Sequence, residues 1–392
     1  WGSHVICHGN EIMFQNIRNM AGSGDWYPVT VLVQIVNGDE ASSINEMLNA
    51  ARQYKMFPIL RIGSENVGRQ WAKLNPNLAA SVLNSVDAGG FPRPLFAVFG
   101  NEVNMDLEWY PKANPGDYKS NFNIFAGSLS NPNIVPVKSP INLSFPPKNI
   151  QGAWSGYGYG GQEFYAGMGS GVATEALDTH AYDLCPSASG VLSPSEVGSD
   201  CVAFPGDPGG ICPNTIGNLM TISRTRDIDL CFHNSLGYSS SPVIATEIGL
   251  GPSWPLSTRK RYLEELTRIH GSSFPGIDYA TALLLDDLRG YIEPIVAVFH
   301  TNGSIAGYID CNDGSSCGGY ETCGGSSEEK VPRTIIGKIT STLTEQTLDG
   351  KTKTQQPLRN ARICVYQGER DPISKGIGNT INNWETTTTT DE

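Results

Sequence analysis

Eight short apolar runs, separated by segments with helical periodicity, limit the fold of this chain more than any other feature of its sequence. The runs are rich in β-branched and aromatic residues, as strands are, and they cover His4–Cys7, Val29–Val36, Phe57–Gly63, Leu95–Glu102, Ile134–Ser139, Glu175–Asp183, Pro242–Gly249 and Tyr279–Asp287. The segments between them place apolar residues three and four apart, as one face of a helix requires. They include Glu11–Met20, Ala41–Tyr54, Pro76–Val86, Ser120–Leu129, Thr215–Leu236 and Ser257–His270.

Apolar strands that alternate with helices predict an α/β fold with a parallel sheet covered on both faces. Eight such units in roughly 290 residues match a (β/α)8 TIM barrel, which we assign to residues 1–310. The alternative is an open, doubly wound sheet. No Gly-x-Gly-x-x-Gly turn follows an early strand, although that turn is typical of doubly wound dinucleotide-binding folds. The barrel is therefore the predicted fold.

A change of composition marks a second region after the barrel. Residues 311–330 are rich in Cys, Gly and Ser and are interpreted as a linker. Residues 331–392 predict a β-sandwich-like segment, with strands at Thr334–Leu343 and Arg362–Tyr366. The run Thr386–Thr390 is interpreted as a flexible linker in a Thr-rich tail. This region is short for a complete sandwich, which leaves open further domains beyond residue 392 and self-association.

The charge balance narrows the partners of the chain. There are 27 Lys and Arg against 39 Asp and Glu, a formal net charge of −12. A nucleic-acid protein needs a basic face to neutralise phosphates, and an acidic protein is repelled by anionic membrane surfaces. No apolar stretch approaches the roughly 18 residues that span a bilayer. We therefore expect no nucleic acid and no membrane insertion, whereas an uncharged carbohydrate remains compatible.

Nine cysteines lie mostly in Gly-, Ser- and Pro-rich sequence, and none forms a Cys-x-x-Cys pair. Disulfides in an oxidising compartment explain this pattern better than a metal site. The triplets Asn142-Leu-Ser144 and Asn302-Gly-Ser304 are acceptor sites for N-glycosylation. Together these features predict a secreted or cell-surface protein. Apart from His180, the histidines show no spacing typical of metal ligands, so no metal and no cofactor are assigned.

Polar residues gather where the predicted strands end. Active sites of (β/α)8 barrels lie at the carboxyl ends of the strands, so these side chains should share one rim. They are Arg61 on the third strand, Asn101 and Glu102 on the fourth, His180 and Tyr182 on the sixth, and Glu247 on the seventh.

Two carboxylates facing each other across a barrel are what retaining glycoside hydrolysis requires. One is a carboxylic acid that protonates the leaving oxygen, and the other is a nucleophile about 5–5.5 Å away. An arginine beside the nucleophile would lower its pKa and keep it ionised. A tyrosine hydroxyl can orient the nucleophile, and a histidine can bind substrate or tune the acid. This chemistry needs no cofactor.

Asn101-Glu102 at the end of strand four and Glu247 at the end of strand seven resemble the signature of clan A of the retaining glycoside hydrolases, which contains the family 5 cellulases. The resemblance covers the barrel. It implies that Glu102 is the general acid/base and Glu247 the nucleophile. It also implies that Asn101 contacts the sugar 2-hydroxyl, and that His180 and Tyr182 are the polar pair of strand six.

The chain departs from this pattern at two strands. Arg61 would correspond to the barrel arginine, which in much of the clan ends strand two rather than strand three. Many members carry a tryptophan at the end of strand eight, where this chain has Leu285-Asp286-Asp287. Trp109, Trp154 and Trp254 are therefore the candidate sugar-stacking rings.

The function predicted from the sequence is retaining hydrolysis of a β-linked polysaccharide or oligosaccharide. Glu108 and Asp106, just after the acid, are interpreted as solvated loop residues. Two other classes stay open, because a fold does not fix a function. One is a non-catalytic structural or adhesive surface or filament protein, in which a loop or neighbouring subunit would fill the cleft. The other is a glycan-binding module without turnover.

Overall fold

The computed structural model describes residues 1–5, 9–67, 70–145, 158–197, 201–204, 211–212, 219–251, 254–284, 295–310, 362–365 and 386–389. The chain divides into two compact units. The first contains Trp1–Asp287 and Ile292–Ser327, and the second contains Leu288–Tyr291 and Glu328–Glu392.

Eight parallel strands form the sheet of the first unit. They are β1 Gly2–Val5, β2 Tyr27–Gln34, β3 Met56–Gly63, β4 Leu95–Phe99, β5 Ile134–Lys138, β6 Leu177–Asp183, β7 Val243–Leu250 and β8 Tyr279–Ala282. Their order across the sheet is β5-β4-β3-β2-β1-β8-β7-β6. Read as a circle, each strand lies beside the strands that precede and follow it in the chain.

The two ends of this strand order meet. The Glu175 N–H, just before β6, donates to the Pro136 carbonyl in β5 at 2.9 Å. The Lys138 N–H in β5 donates to the Thr174 hydroxyl at 3.0 Å. The sheet therefore curls into a barrel, and the prediction of a (β/α)8 fold is confirmed. A doubly wound sheet is excluded, because its strand order reverses at a switch point.

Helices follow the strands along the chain. They are α1 Glu11–Ala21, α2 Ala41–Gln53, α3 Pro76–Asn84, α4 Pro115–Ser128, α5 Gly161–Met168, α6 Pro194–Val197, α7 Ile222–Leu236 and α8 Leu256–His270. The apolar face predicted for α2, formed by Ile44, Met47, Leu48 and Ala51, is buried. Helix α4 begins five residues before the predicted start, because Asn114 caps it through the Asp117 N–H. Helix α5 was not predicted.

An aromatic cluster fixes the ends of β4 and β5, where the fourth strand approaches the rim. The Phe99 ring stacks on Phe125 at 4.7 Å between centroids. The Tyr118 hydroxyl donates to the Phe99 carbonyl at 3.0 Å and accepts the Ser139 N–H at 2.6 Å. One buried hydroxyl therefore ties together the last residue of β4 and the residue after β5.

A β-hairpin follows the barrel strands and was not predicted. Its strands are β9 Ile295–Phe299 and β10 Ile305–Asp310, which pair antiparallel. It packs against the start of the barrel: the Ser3 hydroxyl donates to the Ala297 carbonyl at 2.6 Å.

The second unit contains a small antiparallel sheet of β11 Arg362–Val365 and β12 Thr386–Thr389. The predicted strand at residue 362 is confirmed. The interpretation of Thr386–Thr390 as a linker is wrong, since four of these threonines form a strand. The predicted strand Thr334–Leu343, the 311–330 linker and the end of the eighth strand at Leu285–Asp287 lie outside the described residues.

Candidate active site

The turn after β4 brings Asn101 and Glu102 to the rim. Gly100 has φ +92°, and a Cβ there would lie 2.7 Å from the Val103 Cγ1 atom, so glycine is required. Glu102 itself has φ +34°. A non-glycine residue in this region costs roughly 1–3 kcal/mol and persists only where its surroundings hold it.

Two side chains hold the Glu102 carboxylate. The Oε1 atom lies 2.9 Å from His180 Nδ1, and Oε2 accepts from Asn142 Nδ2 at 3.1 Å. Asn142 is in turn fixed by Asn104, whose Oδ1 accepts the Asn142 N–H at 2.9 Å. The Glu102 side chain is 15% exposed, so it can still meet a ligand. Asn142 was not predicted as a site residue, although its contact places it in the site.

Glu247, on β7, is held by three side chains from two other strands of the barrel. Arg61 Nη1 on β3 donates to its Oε1 atom. The Tyr182 hydroxyl on β6 donates to Oε2 at 2.5 Å, and His180 Nδ1 lies 3.5 Å from Oε2. These contacts and the His180–Glu102 bond link five of the six predicted rim residues, all except Asn101.

Charged neighbours keep Glu247 ionised. Burial alone would raise the pKa of its carboxyl, but the positive charges of His180 and Arg61 and the Tyr182 hydrogen bond lower it to about 2. Glu247 is therefore a carboxylate throughout the physiological range.

His180 is the cation between the two acids. Burial would lower its pKa, but the charges of Glu247 and Glu102 raise it to about 9. The imidazolium Nδ1–H faces both carboxylates. Its Nε2 atom is buried and has no hydrogen-bond partner among the residues that the structure describes.

The shared histidine also limits the distance between the acids. Nδ1 lies 2.9 Å from Glu102 Oε1 and 3.5 Å from Glu247 Oε2. The separation of these two oxygens cannot exceed the sum of the two distances. The two acids, far apart in sequence, therefore meet.

His4, on β1, is a site residue that the sequence did not reveal. Its Nε2 atom lies 3.3 Å from Arg61 Nη1 and 4.0 Å from Glu247 Oε1. Burial, with the charge of Arg61, lowers its pKa to about 3. A neutral imidazole can accept a hydrogen bond from Arg61 and so orient the guanidinium toward Glu247. Its position on the first strand was the only available signal.

Glu108 corrects the interpretation of a solvated loop. It lines a small cavity with Arg61 and Asn101, and the Asn101 side chain hydrogen-bonds to it. Burial and the nearby charge of Glu102 raise its pKa to about 7. The cavity has a volume of about 20 Å³, which is enough for one water. The loop after β4 thus returns a third carboxyl group to the site. Asp106, by contrast, accepts the Ala113 N–H at 2.8 Å and so bridges that loop.

The three candidate sugar-stacking tryptophans differ in their surroundings. Trp109 is only 1% exposed, packs on Tyr118 and donates from Nε1 to Asp117 at 3.1 Å. Its prediction as an open stacking platform is wrong, because the ring is part of the core. Trp254 is partly exposed, so its role stays a prediction. Trp154 lies outside the described residues.

The cysteines of the barrel unit include one disulfide, Cys212–Cys231. Cys185 and Cys201 have free thiols that interact with each other. Among the described residues, no group of three His, Cys, Asp or Glu is placed to hold a metal ion. In the same part of the chain, no helix is both long and apolar enough to cross a membrane.

Fold and site together define a (β/α)8-barrel protein with paired glutamates at the carboxyl ends of strands four and seven. No protein-family model matches the sequence, and no curated protein matches it. Among solved structures, a GH5_18 protein from Bifidobacterium longum subsp. infantis is similar with TM-score 0.43 and 11% identity, over 69% of this chain and 63% of that one. A glucosidase from Croceicoccus marinus is similar with TM-score 0.44 and 9% identity, over 74% of this chain and 60% of that one. This chain thus covers less than two thirds of the length of either solved protein.

Proposed function

We propose that this protein is a retaining glycoside hydrolase that cleaves a β-linked polysaccharide or oligosaccharide by double displacement. The observation that carries the proposal is the position of His180 Nδ1, 2.9 Å from Glu102 and 3.5 Å from Glu247. The two oxygens that face Nδ1 can be no farther apart than the sum of these distances, which is compatible with the roughly 5–5.5 Å carboxyl separation of retaining enzymes.

In the first step, a Glu247 carboxylate oxygen attacks the anomeric carbon. The bond from that carbon to the leaving oxygen breaks, and Glu102 gives its proton to the leaving oxygen. The product is a glycosyl ester of Glu247. In the second step, water attacks the same carbon, Glu102 takes the water proton, and the ester bond to Glu247 breaks. Glu102 is then protonated again and Glu247 is again a carboxylate.

The neighbours of Glu247 suit the role of nucleophile. A nucleophile must be ionised before substrate binds, and its pKa of about 2 meets that need. Arg61 and Tyr182 hold the carboxylate in one orientation. When the ester forms, the negative charge that contributes most to the raised pKa of His180 disappears. His180 then holds its proton less tightly, so the hydrogen bond from its Nδ1 to Glu102 changes between the two steps.

One observation favours a second candidate, a glycan-binding module without turnover. Both Glu102 oxygens contact donors, His180 on one side and Asn142 on the other. This arrangement suits a carboxylate better than the carboxylic acid that the first step requires. Binding of oligosaccharides without release of reducing ends would support this candidate.

The test is a screen of β-glucan, mannan, xylan and galactan with wild-type protein, Glu102→Gln and Glu247→Gln. We expect reducing ends from the wild type on one of these polymers and none above background from Glu247→Gln. Loss of the general acid in Glu102→Gln should lower turnover by about 10²–10⁴-fold. The anomeric configuration of the first product, followed by proton NMR, should match that of the substrate. Full activity of Glu247→Gln would contradict the proposal.

A further inference from the structure

The strand that carries Glu247 contains one residue more than the strands on either side of it. Along β6, Asp178 pairs with Ile244 and His180 with Glu247, so one residue of β6 faces two of β7. Along β8, Ala280 pairs with Ala245 and Ala282 with Ile248, with the same one-residue shift. The extra residue lies at Thr246, immediately before Glu247. A bulge of this kind redirects side chains and is common beside active sites.

Side chains from both neighbouring strands satisfy the polar groups of this bulge. The Asp178 carboxylate accepts the Thr246 N–H at 3.2 Å and the Thr246 hydroxyl at 2.9 Å. On the other side, the Thr281 hydroxyl donates toward the Thr246 carbonyl at 2.8 Å. Thr281 in turn contacts the Thr30 hydroxyl at 2.7 Å. The backbone groups that the bulge takes out of the sheet ladder are therefore bonded to buried side chains.

The bulge has a geometric consequence for the candidate nucleophile. In a regular strand, successive side chains point to opposite faces of the sheet. Here Thr246 reaches Asp178, and the next residue, Glu247, reaches Tyr182. Asp178 and Tyr182 are both an even number of residues from His180, so they share its face of β6. Two consecutive side chains of β7 thus meet the same face of the neighbouring strand.

We propose that Asp178 is a positioning residue for Glu247, holding the Thr246 bulge and so setting where the Glu247 carboxylate lies against His180 and Tyr182. Among the described hydrogen bonds, Asp178 makes none to Glu247, so it acts on that carboxylate through Thr246. Its effect on position is independent of the reaction, whereas its effect on turnover rests on the proposed hydrolase function.

The chain offers a matched control in Asp229, on α7. Asp229 is also 0% exposed, accepts two side-chain hydroxyl groups, from Tyr165 and Thr179, and lies against the same strand β6. It makes no contact with β7 among its described hydrogen bonds. Removal of either buried acid should lower stability, but only removal of Asp178 should move Glu247.

The experiment compares Asp178→Leu, Asp178→Asn and Asp229→Leu with the wild type. Leu removes the acceptor, whereas Asn keeps an oxygen for the Thr246 N–H and loses the same charge. The first readout is the pKa of His180. It is measured by NMR on histidine-labelled protein, and the His180 signal is assigned with the variant His180→Gln. We expect Asp178→Leu to lower the pKa of His180 clearly more than Asp178→Asn does, because a displaced Glu247 no longer stabilises the imidazolium. Asp229→Leu should leave it closer to the wild-type value than Asp178→Leu does.

The second readout is kinetic. A displacement of about 1 Å can cost about 10²-fold in rate, so Asp178→Leu should lower kcat by about that factor with little change in KM. Asp178→Asn should recover most of the loss. If Asp178→Leu does not fold, Thr281→Val and Thr281→Ser make the same comparison, since Val loses the donor to Thr246 and Ser keeps it.

Equal effects of Leu and Asn at position 178, in both readouts, would overturn the inference, as would an equal loss of kcat in Asp229→Leu. A wild type that cleaves none of the glycans while the His180 pKa still separates Leu from Asn would have a different meaning. In that case the proposed function fails and the positioning role of Asp178 stands.

Discussion

His180 and Glu102 form a partly buried ion pair, with His180 Nδ1 2.9 Å from Glu102 Oε1. The histidine comes from the middle of β6 and the glutamate from the strained turn after β4. Because the same nitrogen faces Glu247, protonation of His180 and the arrangement of both acids depend on each other.

The ion pair predicts a pH dependence of stability. The pKa of His180 is raised from 6.5 to about 9, so the folded protein binds this proton more tightly than the unfolded chain. The stabilisation is fully present below about pH 6.5 and is lost as the pH rises through 9. We expect the melting temperature of the wild type to fall over this window more than that of His180→Gln. If differential scanning calorimetry finds the same fall in melting temperature with pH for both proteins, that result contradicts the assignment of a charged His180.

Arg61 should set the acidic limit of activity. Its guanidinium, together with His180, opposes the effect of burial on Glu247. Arg61→Met removes that charge, so the pKa of Glu247 should rise and the acidic limb of the kcat/KM profile should move to higher pH. Arg61→Lys keeps a charge and should shift the limb less. The measurement is kcat/KM between pH 3 and pH 8 on the best substrate. The wild-type limb lies below this range, so a profile of Arg61→Met as flat toward pH 3 as that of the wild type would count against this role.

Of the two described glycosylation triplets, only Asn302 should carry a glycan. Asn302 is exposed at the turn between β9 and β10. The Asn142 amide is bonded to Glu102, and its Oδ1 atom accepts the Ser144 N–H at 3.1 Å. A glycan on that nitrogen would remove the contact with Glu102. Expression in a glycosylating host, followed by peptide mass spectrometry, should find the modification on Asn302, and Asn302→Gln should abolish it. Occupancy of Asn142 in active protein would contradict the prediction.

Cys185 and Cys201 should form a disulfide, in addition to Cys212–Cys231, in an oxidising compartment. Their side chains contact each other, and Cys185 is fully buried after the end of β6. Closing a loop of about 15 residues stabilises a protein by about 3 kcal/mol in the chain-entropy description. We expect non-reducing peptide mapping to find the pair, and Cys201→Ser to lower the melting temperature of oxidised protein. Equal melting temperatures for oxidised wild type and variant would exclude a stabilising bond.

The barrel and the positions of its two glutamates were predictable because both depend on local patterns. Apolar runs such as Leu95–Phe99 are buried on both sides and show their strand character directly. The end of a parallel strand then gives the rim position of the next polar residue. Glu102 and Glu247 follow from that rule, and so do Arg61 and Tyr182.

The remaining site residues depend on contacts that no local pattern encodes. Glu108 enters the site because Trp109, beside it, is drawn into the core by the aromatic cluster around Phe99. Asp178 has its role because of a bulge in another strand, and one extra residue leaves no trace in an apolar run such as Val243–Leu250.

The hairpin of β9 and β10 was predictable in principle. Its turn contains Asn302-Gly303 between β-branched runs, a strong hairpin signal.

Because the Tyr118 hydroxyl bonds to both Phe99 and Ser139, the positions of the strand ends and the loops above them can vary independently. The strand ends are fastened from the outer, helix-facing layer, so the geometry at the start of the acid-bearing turn does not depend on the loops above it. Those loops can then change in length and composition while Glu102 keeps its starting point. Tyr118 thus allows the loops at the rim to diverge in sequence while the ends of β4 and β5 stay in place.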